Sequence, residues 1–216
     1  DLLGRRDSSK INTTNPFVTE YQYKNRNEFY TSTLLEKISY SNDRPYIYAY
    51  DANGNITSIS TENNGTQTLL VSYEYDALNQ LVRENHAERN KTIVYTYDNG
   101  GNITSVKEYA YTTGAVSGTP IAEKTYTYGN TEWKDLLTNY NGTAITYDTI
   151  GNPLNWTNGK TFTWTAGRQL SGVTDANNTI AYTYDDNGIR TSKTVNGTKT
   201  DYYLNGTAII MQKTGD

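Results

Sequence analysis

The sequence predicts an all-β protein, an antiparallel meander of β-hairpins that makes one strongly curled sheet. Three observations carry this. An aromatic-x-aromatic-Asp-x-x-Gly block recurs along the chain. Asn-Gly pairs punctuate the gaps between blocks. Aromatic residues, 21 Tyr and 3 Trp, stand where a globular core would hold aliphatics, since hydrophobic residues make up only 35% of the chain.

The first strand of a unit comes from the paired rings. Tyr48 and Tyr50 are two residues apart, so both stand on one face of a strand. Asp51 suits the opening of a type I turn, where its carboxylate accepts a nearby backbone N–H. Gly54 suits the left-handed position that follows and makes a glycine bulge. Ile56–Ile59 then returns as the second strand. The same frame is read at Tyr73, Tyr75 and Asp76, and at Tyr95, Tyr97 and Asp98. It recurs at Tyr147, Asp148 and Gly151, and at Tyr182, Tyr184, Asp185 and Gly188. Phe162-Thr163-Trp164 is a copy without the Asp, and Asn79 takes the glycine position in its own copy. The copy at Tyr126 is degenerate, and Asp201–Gly206 starts a partial one. Asp1–Arg5 matches the turn half of a copy, so the chain is expected to be a segment of a larger protein.

The second kind of turn lies between copies. Asn141-Gly142, Asn158-Gly159, Asn196-Gly197 and Asn205-Gly206 predict type I′ hairpins. Copies begin at 48, 73, 95, 126, 145, 162, 182 and 202, so the connections vary in length while the blocks do not. The longest gap holds Gly114–Pro120, which predicts a surface-loop insertion. About eight units of two strands each give about sixteen strands, too many for an open sheet that does not curl. The whole chain, 1–216, reads as one repeat domain, irregular over 1–45 and more regular over 46–216. Within the irregular part, Ser32–Ile38 is predicted as a short helix.

Composition excludes several functions. The net charge of −4 gives no electrostatic footprint for nucleic acid. The absence of Cys removes disulfides and thiolate metal sites. No apolar run is long enough to span a membrane as a helix.

The pattern Y-x-Y-D-x-x-G-N/R-ϕ (ϕ apolar), at Tyr48–Ile56, Tyr95–Ile103 and Tyr182–Ile189, resembles the Rhs/YD-repeat family. That resemblance implies a bacterial, secreted or wall-associated parent whose repeats spiral into a hollow β-shell. It implies as partners the other repeats of the parent and a C-terminal core or effector, often a toxin, that the shell encloses or presents. The family's post-repeat D-P-x-G-type core motif is absent here, so self-cleavage and toxin activity are not assigned.

The acids and aromatics are the side chains that could carry chemistry. Asp51, Asp76, Asp98, Asp148 and Asp185 occupy one turn position, which argues for turn chemistry and against a catalytic pair with separated pKa values. No bidentate acid follows at a calcium-loop offset, and no cofactor or metal is expected. His86 is the only histidine and reads as part of an inter-repeat loop, Glu84–Arg89. Trp133, Trp156 and Trp164 are the candidates for stacking on a glycan, although Trp164 also fits the second ring position of its copy. The expected function is a non-enzymatic wall segment, with a carbohydrate-binding module as the alternative. Unpaired edge strands would be open to pairing with a second copy.

Overall fold

A computed structural model describes residues 1, 3–25, 31–41 and 43–215. They form nineteen strands and no helix. The chain divides into two compact units, Asp1–Lys124 and Thr125–Asp216. In the first, β1 (Ser8–Ile11), β2 (Phe17–Asn25), β3 (Thr31–Tyr40), β4 (Asp43–Tyr50) and β5 (Ile56–Asn63) pair in chain order. β6 (Thr66–Tyr75), β7 (Leu81–His86), β8 (Lys91–Tyr97) and β9 (Ile103–Ala110) continue that order. β10 (Ala122–Thr127) straddles the division. The second unit holds the two-residue strands β11 (Asn139–Tyr140), β12 (Thr143–Ala144) and β13 (Asn155–Trp156). There follow β14 (Lys160–Thr165), β15 (Gln169–Thr174), β16 (Thr179–Tyr184), β17 (Arg190–Val195), β18 (Thr198–Asn205) and β19 (Ala208–Thr214). Neighbouring strands are antiparallel, the meander that the repeat predicts.

The predicted helix at Ser32–Ile38 is a strand. It lies within β3, paired to β2 through Tyr21↔Ile38 and Gln22↔Lys37 and to β4 through Lys37↔Ile47. The Leu-Leu-Glu-Lys run favours a helix by only tenths of a kcal/mol per residue, and two flanking ladders outweigh it.

Glycine bulges sit where the blocks place them. The register slips by one residue at Ala49/Tyr50, Glu74/Tyr75, Thr96/Tyr97, Thr163/Trp164 and Thr183/Tyr184. Four slips precede a turn with one left-handed residue, Gly54, Asn79 at φ 62°, Gly101 or Gly188, and the slip at Thr163/Trp164 precedes a turn with two, Ala166 at φ 44° and Gly167 at φ 80°. In the other turns, Asn141-Gly142, Asn158-Gly159 and Asn196-Gly197 have both residues at positive φ, as type I′ requires. Asn205-Gly206 differs. Asn205 pairs with Ala208, and Gly206, at φ 60°, opens the turn, the arrangement of type II′. Asn64-Gly65 is a further type I′ turn outside the predicted set. The insertion at Gly114–Pro120 does run over the surface, and Arg83 Nη2 ties down its start by donating to the carbonyls of Thr112 and Gly114, both at 2.7 Å.

The sheet has little aliphatic core. Leu70, Val71 and Ile145 are the buried apolar side chains among the described residues. The repeat rings are half-buried and not fully covered, because each sheet shields its rings on one side only. In β14 and β16 half-buried and exposed positions alternate, with Phe162, Trp164, Tyr182 and Tyr184 on the covered face.

Candidate functional site

The repeated site is a turn closed by its own aspartate. Asp51 Oδ1 accepts the backbone N–H groups of Asn53 and Asn55, both at 2.9 Å. Asn55 Nδ2 donates to Asp51 Oδ2 at 2.9 Å. The backbone completes the ring, with Gly54 N–H donating to the Asp51 carbonyl at 3.2 Å. Gly54 can do this because it sits at φ 88°. The two N–H bonds to the carboxylate recur at Asp1, Asp76, Asp98, Asp148 and Asp185. The asparagine amide recurs with Asn102 on Asp98 and Asn152 on Asp148. These donors favour the ionised form. The amide of Asn55 holds the Asp51 carboxyl below its usual range, Asn102 does so for Asp98, and the Asn152 backbone N–H leads at Asp148. A carboxylate whose lone pairs already meet two or three N–H groups is a structural acceptor, poorly placed to coordinate calcium. Among the described residues, no group of three or more His, Cys, Asp or Glu could hold a metal ion.

In six blocks the second ring fastens its hairpin to the one before. Tyr75 Oη donates to the Ile56 carbonyl at 2.9 Å, and Tyr97 Oη to the Leu81 carbonyl at 2.7 Å. Tyr184 Oη donates to the Leu170 carbonyl at 2.8 Å. Each acceptor is the residue opposite the second ring of the preceding block: Tyr50↔Ile56, Tyr75↔Leu81 and Trp164↔Leu170. Trp164 does the same with its indole, Nε1 donating to the Pro153 carbonyl at 2.7 Å. Tyr50 and Tyr147 reach the carbonyls of Leu35 and Leu137. Burial raises the pKa of Tyr50, Tyr75, Tyr97 and Tyr147. It does so for the first-position rings Tyr48 and Tyr73 as well.

Sequence reasoning placed the rings on one face but missed where their hydroxyls go. The signal was available, because the second ring is Tyr or Trp in every block but the partial last copy, both aromatics with a donor. It also missed the residue between the rings. Thr96 Oγ1 lies 2.7 Å from Ser105 Oγ, Thr183 Oγ1 lies 2.7 Å from Ser192 Oγ, and Ser171 Oγ donates to Thr163 Oγ1. In the Tyr73 block this position is Glu74, whose carboxylate is 3.7 Å from Arg83 Nε. Asp175 was overlooked too. It closes a tight turn by accepting the N–H groups of Asn177 and Asn178.

The non-repeated candidates separate clearly. His86 belongs to β7 and not to a loop, and its Nε2 is 2.7 Å from Glu84 Oε2. Glu84 also accepts the Tyr95 hydroxyl. Trp156 stacks on Tyr140 with centroids 5.2 Å apart, and Tyr140 packs on Tyr126 at 5.1 Å. Trp133 is 48% exposed. Its ring lies so close over the Asp148 turn that a Cβ on Gly151 would fall 2.5 Å from its Cζ3.

One interruption marks the second unit. Pro153 has no N–H and forms only an isolated bridge with Tyr147. The Asn155 side chain supplies what the ladder lacks. Its Oδ1 accepts Thr146 N–H at 2.7 Å and its Nδ2 donates to the Ala144 carbonyl at 2.7 Å.

Comparison with known proteins agrees with this geometry. The model of the RHS repeat matches residues 50–91. The chain is 37% identical over 143 residues, 62% of its length, to the tRNA nuclease WapA of Bacillus subtilis. It is 38% identical over the same length to the tRNA3(Ser)-specific nuclease WapA of Bacillus spizizenii. It spans 5% of the length of these curated relatives. Among solved structures, a chain of the Photorhabdus luminescens Tc holotoxin pore matches 92% of this chain with 19% identity and a TM-score of 0.59, over 12% of its own length. That likeness is one of fold.

Proposed function

We propose, from the premise that this chain is a run of Rhs (YD) repeats, that it forms part of the wall of a large secreted or cell-surface bacterial protein, a shell that encloses or presents a C-terminal effector. The observation that carries the reading is the fastening of each hairpin to its predecessor through the second ring. Such a device repeats indefinitely and needs no ligand. The acids are consumed by their own turns, so the chemistry of this segment is structural. The relatives' nuclease names describe those whole proteins, of which this chain corresponds to a small share. The reading is tested on the longer parent chain. Its C-terminal segment should resist protease until the repeats are unfolded, and electron microscopy should show a hollow particle. Cleavage of that segment at the rate of a free polypeptide, or a solid rod, rejects the shell.

A second reading, glycan binding, has one observation in its favour. Trp133 keeps an open ring face next to the polar side chains of Asn130, Glu132 and Thr149. Trp156 gives a face to Tyr140, and Trp164 spends its N–H on Pro153. A glycan array probed with the chain and with Trp133→Ala tests it, and equal signals from both reject it.

A further inference from the structure

A cleft of about 360 Å³ opens in the first unit on the face that carries Tyr48, over strands that are flanked on both sides. That volume falls within the roughly 300–1,000 Å³ of small-molecule sites. Its floor follows one cross-strand row, Tyr48↔Ile59, Ile59↔Val71 and Val71↔His86, over β4, β5, β6 and β7. Residues directly opposite share a face, so these side chains stand side by side. Leu70, the extra residue of a bulge beside Ile59, is buried together with Val71 and keeps the floor apolar. Tyr46 stands two residues before Tyr48 on β4, and Tyr40 meets Tyr46 edge to face with centroids 6.1 Å apart. The turn after β7 brings Glu88 and Arg89 to the mouth.

The donors around this cleft have no protein acceptor. The hydroxyls of Tyr40, Tyr46 and Tyr48 make no hydrogen bond among the described residues, and Arg89 makes no ion pair there. The other charges at the mouth are engaged. Glu88 lies 3.3 Å from Arg44, and His86 lies 2.7 Å from Glu84. Burial raises the Tyr73 pKa and the Arg89 charge works against that rise, so the guanidinium stands near the first-position rings. The chain itself shows what a first-position ring takes. Tyr95 gives its hydroxyl to the Glu84 carboxylate, and Glu84 is paired with Ile93, two residues before Tyr95. In the Tyr48 block the same place is Ile38, paired with Tyr46, so Tyr48 has no carboxylate of its own.

We propose that this cleft binds a carboxylate carried on an aromatic ring. The ring lies on the apolar floor among the tyrosines. The carboxylate takes the Arg89 guanidinium and the free tyrosine hydroxyls, in the part that Glu84 plays for Tyr95. The inference is independent of the shell reading.

The test is an NMR titration of the full chain with benzoate, beside benzamide, which lacks the charge, and acetate, which lacks the ring. Benzoate should saturate a single site, and benzamide and acetate should each bind about tenfold more weakly or worse. Arg89→Gln changes an exposed turn residue, so it should leave the melting temperature unchanged and weaken benzoate about tenfold. Tyr48→Phe should weaken benzoate severalfold. No saturation by benzoate, benzamide or acetate bound as tightly as benzoate, or full benzoate affinity in Arg89→Gln or in Tyr48→Phe overturns the proposal.

Discussion

Replacing Tyr97 by Phe removes one oxygen and nothing else, which isolates the bond between consecutive hairpins. The hydroxyl donates to the Leu81 carbonyl at 2.7 Å in a part-buried site. Its loss leaves that carbonyl short of a donor and should cost about 1 kcal/mol. Tyr97→Ala also removes the ring. A fully buried large aromatic costs about 3–5 kcal/mol on truncation, and a half-buried one about half of that. The total for Tyr97→Ala is then about 2–4 kcal/mol, with the hydroxyl included. For a chain of this size about 1 kcal/mol moves the melting temperature by roughly 2–4 °C. The assay is thermal unfolding of the wild type, Tyr97→Phe and Tyr46→Phe. Tyr46 is half-buried in the same unit, but its hydroxyl makes no hydrogen bond among the described residues. Tyr97→Phe should melt lower and Tyr46→Phe with the wild type. Equal melting of all three, or equal shifts in both variants, would refute the fastening role of the hydroxyl.

Gly151→Ala should destabilise through its left-handed backbone, at φ 86°, and should also push Trp133 off the turn, read as a red shift of tryptophan emission. An unshifted spectrum contradicts the contact. Asn155→Ala should cost about 1–3 kcal/mol and speed hydrogen exchange at the Thr146 amide, since that N–H loses its acceptor. Unchanged exchange there removes the side chain from its bridging role. Stability should fall at both ends of the pH scale. The turn carboxylates of Asp51, Asp98 and Asp148 lie below 3.8 in the folded chain, so their contribution is present above 3.8 and is lost as pH falls through the lowered values. The tyrosines lie above 10.0, so theirs is whole below 10.0 and is lost as pH rises through the raised values. Melting temperature measured against pH checks both limbs, and a flat profile above pH 10 would count against the buried hydroxyls. Melting should be the same in excess EDTA and in excess calcium, and a rise with calcium would show that a turn carboxylate has oxygen to spare.

The local chemistry was legible in the sequence wherever neighbouring residues decide it. Asp followed three residues later by Gly names a turn because a carboxylate, two N–H groups and a positive φ lie within five residues. Asn79 in place of that Gly was readable for the same reason, and so was Trp164 in place of Tyr. What was not legible depends on residues far apart. The strand at Thr31–Tyr40 is set by β2 and β4, which its own Leu-Leu-Glu-Lys run does not reveal. The acceptor of the Tyr97 hydroxyl is sixteen residues away and is a carbonyl, a group that every residue carries. Asn155 looks like any other asparagine in an Asn-rich chain until Pro153 is seen to break the ladder beside it.

The reach of each second ring back to its predecessor has a consequence for how such a protein can change. The keyed parts, carboxylate turn and ring, all lie toward one rim of a hairpin, and their spacing is fixed. The connections at the opposite rim hold no fastening ring, and where one of them has a carboxylate clasp, at Asp175, that clasp is confined to its own turn. A segment as long as Gly114–Pro120 can be spliced in there without shifting any strand past its neighbour. One margin is therefore frozen as an assembly template, and the other is open ground on which new surface features can be grafted.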